Sequence, residues 1–324
     1  MKISVVIVNY QTAELTMACL HSLLLEQNKI EFNVIVVEND SKDNSYEILS
    51  SAVEEKGWSH WVKIIKAKWN GGFAYGNNIA IREFLAGEDS SEYIYLLNPD
   101  TCIREGAISE LYTFLETHPT VGIVGGRLED TDGTAQNSSF KFHTWKTELD
   151  RGFSLGILSS LLKTRCEDKV PEQATQTDWV AGASMLIRST LFEQIGLMDE
   201  SYFMYYEEMD FCFQATLFGW ECWYVPSSHV VHYRGKSSGI TDNKVKAKRR
   251  PKYWFNSRRR FFLKNYGVTH ALFSDIAWLF GFSTWLLRNK FQKKQHNHPP
   301  RFLYDSFINS IFVRGFHILP VKNK

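Results

Sequence analysis

The sequence predicts an α/β fold with a mostly parallel central sheet flanked by helices, followed by a helical, basic C-terminal appendage. Short β-branched runs alternate with stretches of helical period, which is the pattern of a parallel sheet with crossover helices. With 324 residues, 44% of them hydrophobic and 15% aromatic, the chain can bury a full core. Charge is unevenly divided. From Lys244 onward 18 Lys and Arg face two acids, Asp275 and Asp305, while the first 243 residues carry the other 19 basic residues against 34 acids. A net charge of +1 thus hides a tail of about +16 and a body of about −15. Such a tail fits an anionic partner, a phospholipid surface or nucleic acid, that the body does not share.

The elements follow in order. Ile3 to Val8 reads as the first strand, Ala13 to Leu25 as a helix, and Phe32 to Val37 as a second buried strand. The polar turn Glu38-Asn39-Asp40-Ser41 comes next, and ligands of such sheets bind beyond the carboxyl ends of strands. A helix from Ser45 to Lys56, a strand from Val62 to Lys66, a glycine-rich turn and a helix from Tyr75 to Leu85 continue the alternation. Tyr93 to Leu97 is the next strand. It stops at Asn98-Pro99-Asp100, because proline has no N–H for a ladder, and so exposes Asp100 at its tip. Gly106 to Thr117 reads as helix, Val121 to Gly125 as strand, and the stretch from about Asp130 to Gln176 as loop. Trp179 to Arg188 reads as strand and Glu207 to Phe218 as helix.

Composition also excludes some chemistry. Cys19, Cys102, Cys166, Cys212 and Cys222 are odd in number and lack paired two-residue spacing, so they read as free thiols rather than as disulfides or a zinc knuckle. The first apolar run is too short for a secretion signal and no small-residue cleavage site follows it, which places the chain in the cytoplasm. Leu272 to Leu287 is apolar and aromatic, flanked by Arg288, Lys290, Lys293 and Lys294. With His270 beside it and Asp275 inside, it reads as an interfacial helix or a packing helix rather than a membrane span.

Several motifs cluster at strand ends and loop tips: Val8-Asn9-Tyr10, Glu38-Asn39, Trp69-Asn70-Gly71-Gly72-Phe73-Ala74-Tyr75-Gly76-Asn77-Asn78, Asn98-Pro99-Asp100, Asp178-Trp179-Val180-Ala181-Gly182-Ala183, Phe203-Met204-Tyr205-Tyr206-Glu207-Glu208-Met209-Asp210, and His232. Glycines before a helix let backbone approach a ligand and aim N–H groups at phosphate. Asp100 offers the oxygen that a hard cation needs. Three acids at a helix start suit either a solvated first turn that complements the helix dipole or a catalytic cluster, and the apolar helix behind them draws the turn toward the core.

In this order and spacing the chain resembles the family 2 glycosyltransferases of GT-A fold, especially the bacterial rhamnosyltransferase-like branch that builds surface polysaccharides. The resemblance runs from Met1 to about Gly267, so residues 1–267 are expected to form the catalytic domain and 268–324 a helical region able to meet a membrane. It implies an inverting, metal-dependent transfer from a nucleoside diphosphate sugar to a saccharide or lipid-linked saccharide, with dTDP-rhamnose the first donor to consider. By the same resemblance Glu208 is the general base, Glu207 its alternative, and Asp210 orients the turn. Val8, Asn9, Tyr10, Glu38, Asn39, Asn70, Gly71, Gly72, Asn77, Asn98 and Asp100 are donor-binding positions. Asp100 and His232 hold Mn or Mg, Asp178, Trp179, Gly182 and Ala183 line the sugar and acceptor pocket, and Arg258 and Arg259 approach the diphosphate. The implied location is cytoplasmic, peripheral on the inner face of the membrane. Two other readings are a nucleotide-sugar-binding module without catalysis and a nucleic-acid-binding protein using the basic tail. The acidic body argues against the latter, so no nucleic acid partner is expected.

Overall fold

A computed structural model describes residues 2–87, 91–162, 164, 170–233, 247–292 and 298–319. Cys166, Lys244, Lys246, Lys293 and Lys294 lie outside the described residues. The strands are β1 (Ile3–Asn9), β2 (Phe32–Glu38), β3 (Val62–Lys66), β4 (Tyr93–Leu97), β5 (Thr101–Ile103), β6 (Val121–Glu129), β7 (Ser139–Phe140), β8 (Thr175–Thr177), β9 (Trp179–Val180), β10 (Ser184–Arg188) and β11 (Glu221–His232). The helices are α1 (Ala13–Leu23), α2 (Ser45–Glu55), α3 (Gly72–Ala86), α4 (Ala107–Thr117), α5 (Trp145–Phe153), α6 (Gly156–Leu162), α7 (Ser189–Ile195), α8 (Glu207–Leu217), α9 (Lys252–Gln292), α10 (Phe302–Ile308) and α11 (Ile311–Arg314).

The main sheet has the order β3-β2-β1-β4-β10-β6-β11-β5, with β8 also on β11. The strands β3, β2, β1, β4, β6 and β11 share one direction, and β10, β5 and β8 oppose it. Side chains of successive strand residues point to opposite faces. Ile3, Val5 and Ile7 accordingly pack with Leu20, Leu49 and Leu111 from α1, α2 and α4. Val6 and Val8 pack with Ile81 of α3, Leu191 of α7 and Phe211 of α8 on the other face. A third apolar cluster joins Tyr202, Tyr206 and Met209 to Trp254, Phe255, Phe261 and Phe262 of α9.

The structure departs from the sequence expectation in several places. Helix α3 begins at Gly72, three residues before Tyr75, so the glycine turn is the helix start itself. The run Trp179 to Arg188 is two strands, broken at Ala181-Gly182-Ala183. The stretch read as loop holds α5 and α6. Strand β11 was not legible because Pro226 sits inside it, and the pairing with β6 shifts register between Val225 and His229, the usual compromise where a proline or bulge interrupts a ladder. Helix α9 is interrupted at Gly267, with φ 80° and ψ 178°. Among the described residues no helix is long and apolar enough to cross a membrane.

Candidate active site

A cavity of about 480 Å³ opens beyond the carboxyl ends of β1 and β4. Val8 and Tyr10 from β1 and the residue after it line one wall, and Asn39 follows β2. Strand alternation turns their neighbours away. Asn9 is buried with its Oδ1 accepting the hydroxyls of Thr12 (3.1 Å) and Thr16 (2.9 Å). Glu38 is buried as well, and its Oε1 accepts the Ser41 N–H at 2.7 Å. Asn39 donates from Nδ2 to Asn70 Oδ1 and to the Gly72 carbonyl, both at 3.1 Å, which ties the end of β2 to the glycine turn.

Asn70 and Gly72 line the cavity, whereas Gly71 packs beneath the Tyr75 ring and Asn77 donates to the Phe73 carbonyl within α3 at 2.9 Å. Gly72 has φ +87°, and a Cβ on it would fall 1.7 Å from the carbonyl oxygen of Phe203. The same oxygen accepts the Phe73 N–H at 3.0 Å. The close backbone approach that glycine allows here is thus to the chain's own acid-bearing loop.

Asp100 stands at the tip of β4 as expected, but buried in the cavity wall rather than exposed. Antiparallel pairing of β5 with β11 sets His232 opposite Thr101, next to this acid. His232 Nε2 lies 3.6 Å from Asp100 Oδ1, and Gln136 Nε2 donates to the His232 carbonyl at 2.9 Å. The buried His232 Nδ1 has no hydrogen-bond partner among the described residues. Two ligands each about 2.0–2.4 Å from one ion sit roughly 3–4 Å apart, so a carboxylate and an imidazole at this separation fit a divalent cation whose other positions go to ligand oxygens or water. Among the described residues no group of three or more His, Cys, Asp or Glu is arranged to hold a metal ion, so these two residues alone would hold it.

On the opposite wall, Tyr205 (φ 70°) and Tyr206 (φ 73°) are consecutive left-handed residues. Each such non-glycine conformation costs on the order of 1–3 kcal/mol. Packing against α9 over-determines it: the Tyr206 ring meets Trp254 and Phe261, and the Tyr205 ring stacks on Tyr253. The turn delivers Glu207 and Glu208 to the first turn of α8, both lining the cavity. Backbone N–H groups of Gly182 and of Glu208 itself favour the ionised form of the Glu208 carboxyl, and those of Tyr205 and Glu207 favour that of the Glu207 carboxyl. One oxygen of each, Oε2, has no partner among the described residues.

Burial raises both carboxyls above the ordinary value of 4.5, and for Glu207 the neighbouring Glu208 charge adds to it. The helix dipole favours the ionised form by only about 0.3–1 kcal/mol, whereas full burial moves a carboxyl by up to ~3–5 pKa units, so desolvation wins. The two adjacent carboxyls titrate as a pair, and both are held toward the neutral form.

Asp210 faces away from the cavity. Its Oδ1 accepts from Tyr202 (3.1 Å) and Asn265 (2.7 Å), and its Oδ2 from Lys264 at 2.5 Å. Lys264 also reaches Asp199 at 3.1 Å, and Arg260 pairs with Asp199 at 2.7 Å. The lysine and asparagine of this cluster, which fix the start of α8, carry no signal in the sequence.

The other expected residues divide. Asn98, Gly182 and Ala183 line the cavity. Asp178 accepts the Phe142 N–H at 2.7 Å, and Trp179 stacks on Phe140 with ring centroids 4.4 Å apart, both outside this wall. The structure does not bring Arg258 and Arg259 to it. Arg258 is buried between Glu148 (2.6 Å) and Asp275, and Arg259 donates to the Arg314 carbonyl at 3.0 Å. Burial without a partner would cost an arginine several kcal/mol, so interior acids claim Arg258. Phe73, Phe203 and Tyr253 line the cavity without having been singled out, although the first two lie within the motif runs.

Comparison with known proteins agrees with this architecture. The chain is 34% identical over 215 residues to the low-salt glycan biosynthesis hexosyltransferase Agl10 of Haloferax volcanii, covering 66% of this chain and 61% of that protein. It is 27% identical over 178 residues to the N-acetylglucosaminyl-diphospho-decaprenol L-rhamnosyltransferase of Mycobacterium tuberculosis, covering 52% and 57%. The matches therefore span about three-fifths of the length of these relatives. Among solved structures, the mannosyltransferase PcManGT of Pyrobaculum calidifontis, in complex with GDP-Man and Mn2+, superposes with a TM-score of 0.55 at 14% identity, covering 94% of this chain and 79% of that one. That likeness establishes the GT-A fold. A family model described as glycosyl transferase family 2 matches residues 4–195, and the chain belongs to that family.

Proposed function

We propose that this chain is an inverting, metal-dependent glycosyltransferase that moves a hexosyl unit from a nucleoside diphosphate sugar to a saccharide or lipid-linked saccharide, in cell-surface polysaccharide biosynthesis. The observation that carries the reading is the placement of the Glu208 carboxyl, with one oxygen unpartnered, in the same cavity as the Asp100–His232 pair. Glu208 takes the proton of an acceptor hydroxyl as that oxygen attacks the anomeric carbon. The bond to the nucleoside diphosphate breaks on the opposite face, which inverts the linkage. A pKa raised by burial makes this carboxylate a stronger base toward a hydroxyl.

Asp100 and His232 would hold a divalent cation, Mn or Mg, whose positive charge stabilises the leaving diphosphate. Val8, Tyr10, Asn39 and Asn70 form the donor wall. Rhamnose from dTDP-rhamnose is the first donor to test, because an L-rhamnosyltransferase is among the relatives. Exposed Phe280, Leu287 and Phe291 on α9 support peripheral membrane contact. Glu208→Gln should keep its melting temperature and its binding of nucleoside diphosphate while losing about 10²- to 10⁴-fold in transfer. Undiminished transfer by a folded Glu208→Gln protein overturns the assignment.

A further inference from the structure

A second cavity of about 480 Å³ shares Tyr205 and Glu208 with the first. Glu208 therefore stands between two chambers, and only the first contains Asp100 and His232. The second is walled by aromatic rings, Trp179 and Trp254 among them, and by the cations Lys141, Arg151 and Arg250. Two of those cations are engaged: Lys141 lies 3.5 Å from Asp178, and Arg151 lies 3.2 Å from Glu148. The acid Asp150 in this wall is satisfied by the hydroxyls of Ser159 (2.6 Å) and Thr164 (2.8 Å).

Arg250 differs. Its guanidinium lies over the Trp254 ring at 5.4 Å, and its Nε is buried without a hydrogen-bond partner among the described residues. A buried donor left unmade is costly, and a planar guanidinium matches the oxygens of a phosphate. The Ser159–Asp150 bond ties this cavity to α6, whose Ile157 (86%) and Leu161 (77%) are almost bare to solvent. The residue Phe153 at the end of α5 packs edge-on to Phe280 of α9, which brings the exposed face of α9 to the same side.

We propose that the second cavity is the acceptor subsite and that it takes a saccharide bearing an anomeric phosphate or diphosphate. The phosphate is held by Arg250, and an apolar aglycone runs onto α6 and α9. The proposal rests on the reading of Glu208 as base: the acceptor hydroxyl reaches it from this chamber while the donor occupies the other. A saccharide hydroxyl can accept from the Arg250 Nε, but a phosphate meets the guanidinium with full negative charge and paired oxygens, so the cavity favours phosphate.

Three probes test it on the full chain without divalent cation, followed by quenching of tryptophan fluorescence: N-acetylglucosaminyl diphospho-decaprenol in neutral detergent, N-acetylglucosamine 1-phosphate, and N-acetylglucosamine. The expected order of affinity is lipid diphosphate, then sugar phosphate, with no saturation by the neutral sugar. Arg250→Ala should weaken both phosphorylated probes by about 10- to 100-fold, and Arg250→Lys by less. Ile157→Ser with Leu161→Ser should weaken only the lipid probe, and an equal loss for the sugar phosphate would remove the aglycone path. The proposal is overturned if Arg250→Ala binds like the wild type, if the neutral sugar binds as tightly, or if neither phosphorylated probe binds the wild type. Binding of a nucleoside diphosphate with Mn should be unchanged in Arg250→Ala. If the wild type itself shows no such binding, the reading of the first cavity fails separately from that of the second.

Discussion

Glu207 and Glu208 open α8 with one carboxyl oxygen each left unpartnered toward a cavity, whereas Asp210, in the same turn, has both oxygens filled by Tyr202, Asn265 and Lys264. Asp199, which shares Lys264 with it, is closed off further by Arg260. Burial alone would raise Asp199, yet Lys264 and Arg260 hold it below the usual carboxylate value of 3.8. Burial also raises the two glutamates, and among the described residues no cation offsets it. The difference separates acids that hold the turn in place from acids that the turn leaves open to a cavity. Proteins accept such local destabilisation at functional sites when packing elsewhere compensates.

The contrast can be broken at several points. The largest effect is expected at the cleft. Glu208→Gln should remove about 10²- to 10⁴-fold of transfer, and Glu207→Gln, which leaves the Glu208 carboxyl in place, should stay within about tenfold of the wild type. Steady-state rates with a fixed donor decide this, and the reverse ranking would make Glu207 the base. Behind the cleft, Arg260→Ala should cost about 3–5 kcal/mol of stability by leaving Asp199 buried with a lost partner, read as a fall in the denaturant midpoint with little change in KM per folded molecule. An unmoved midpoint would mean that Lys264 alone suffices. Gly267→Ala, two residues after Asn265, places a side chain at φ 80° and ψ 178° and should cost about 1–3 kcal/mol by straining the turn that follows the cations of Asp199 and Asp210.

The smallest expected effect is a pH signature. Asp199, depressed in the folded state, contributes stability above its unfolded value of 3.8 that is lost as pH falls through the lower folded one. The raised Glu207 and Glu208 act oppositely, contributing below 4.5 and losing that contribution as pH rises through the folded values. Glu207→Gln should therefore raise the melting temperature relative to wild type more at pH 8 than at pH 5. An equal shift at both pH values would show that Glu207 does not titrate in the folded protein. The same raised Glu208 places the acid limb of transfer above pH 4.5.

Much of this organisation was legible in the sequence where chemistry is local. The strands β1, β2 and β4 announce themselves as aliphatic runs that stop at polar residues, and the acid turn as three carboxyls ahead of an apolar helix. Position within a strand was less legible: naming Asn9 beside Val8 and Tyr10 overlooks the alternation that turns its amide toward Thr12 and Thr16. The closeness of Asp100 to His232 depends on β5 pairing with β11, and only the family resemblance anticipated it. Helix α5 escaped notice because its capping box pairs Thr144 with Thr147 rather than with Glu or Gln, and because Glu148, Asp150 and Arg151 blur its apolar period. The family resemblance sends Arg258 and Arg259 to a diphosphate, but Arg258 pairs with Glu148, an acid far away along the chain, and Arg259 donates to the Arg314 carbonyl.

The hydrogen bond from the Phe73 amide to the Phe203 carbonyl has a mechanical consequence. It clamps the start of α3 to the loop that leads into Glu207 and Glu208, and Gly72 leaves no room for anything between them. The glycine turn and the acid turn then travel as one piece. The exchange rate of a single amide proton, at Phe73, becomes a gauge of whether Glu207 and Glu208 are in position.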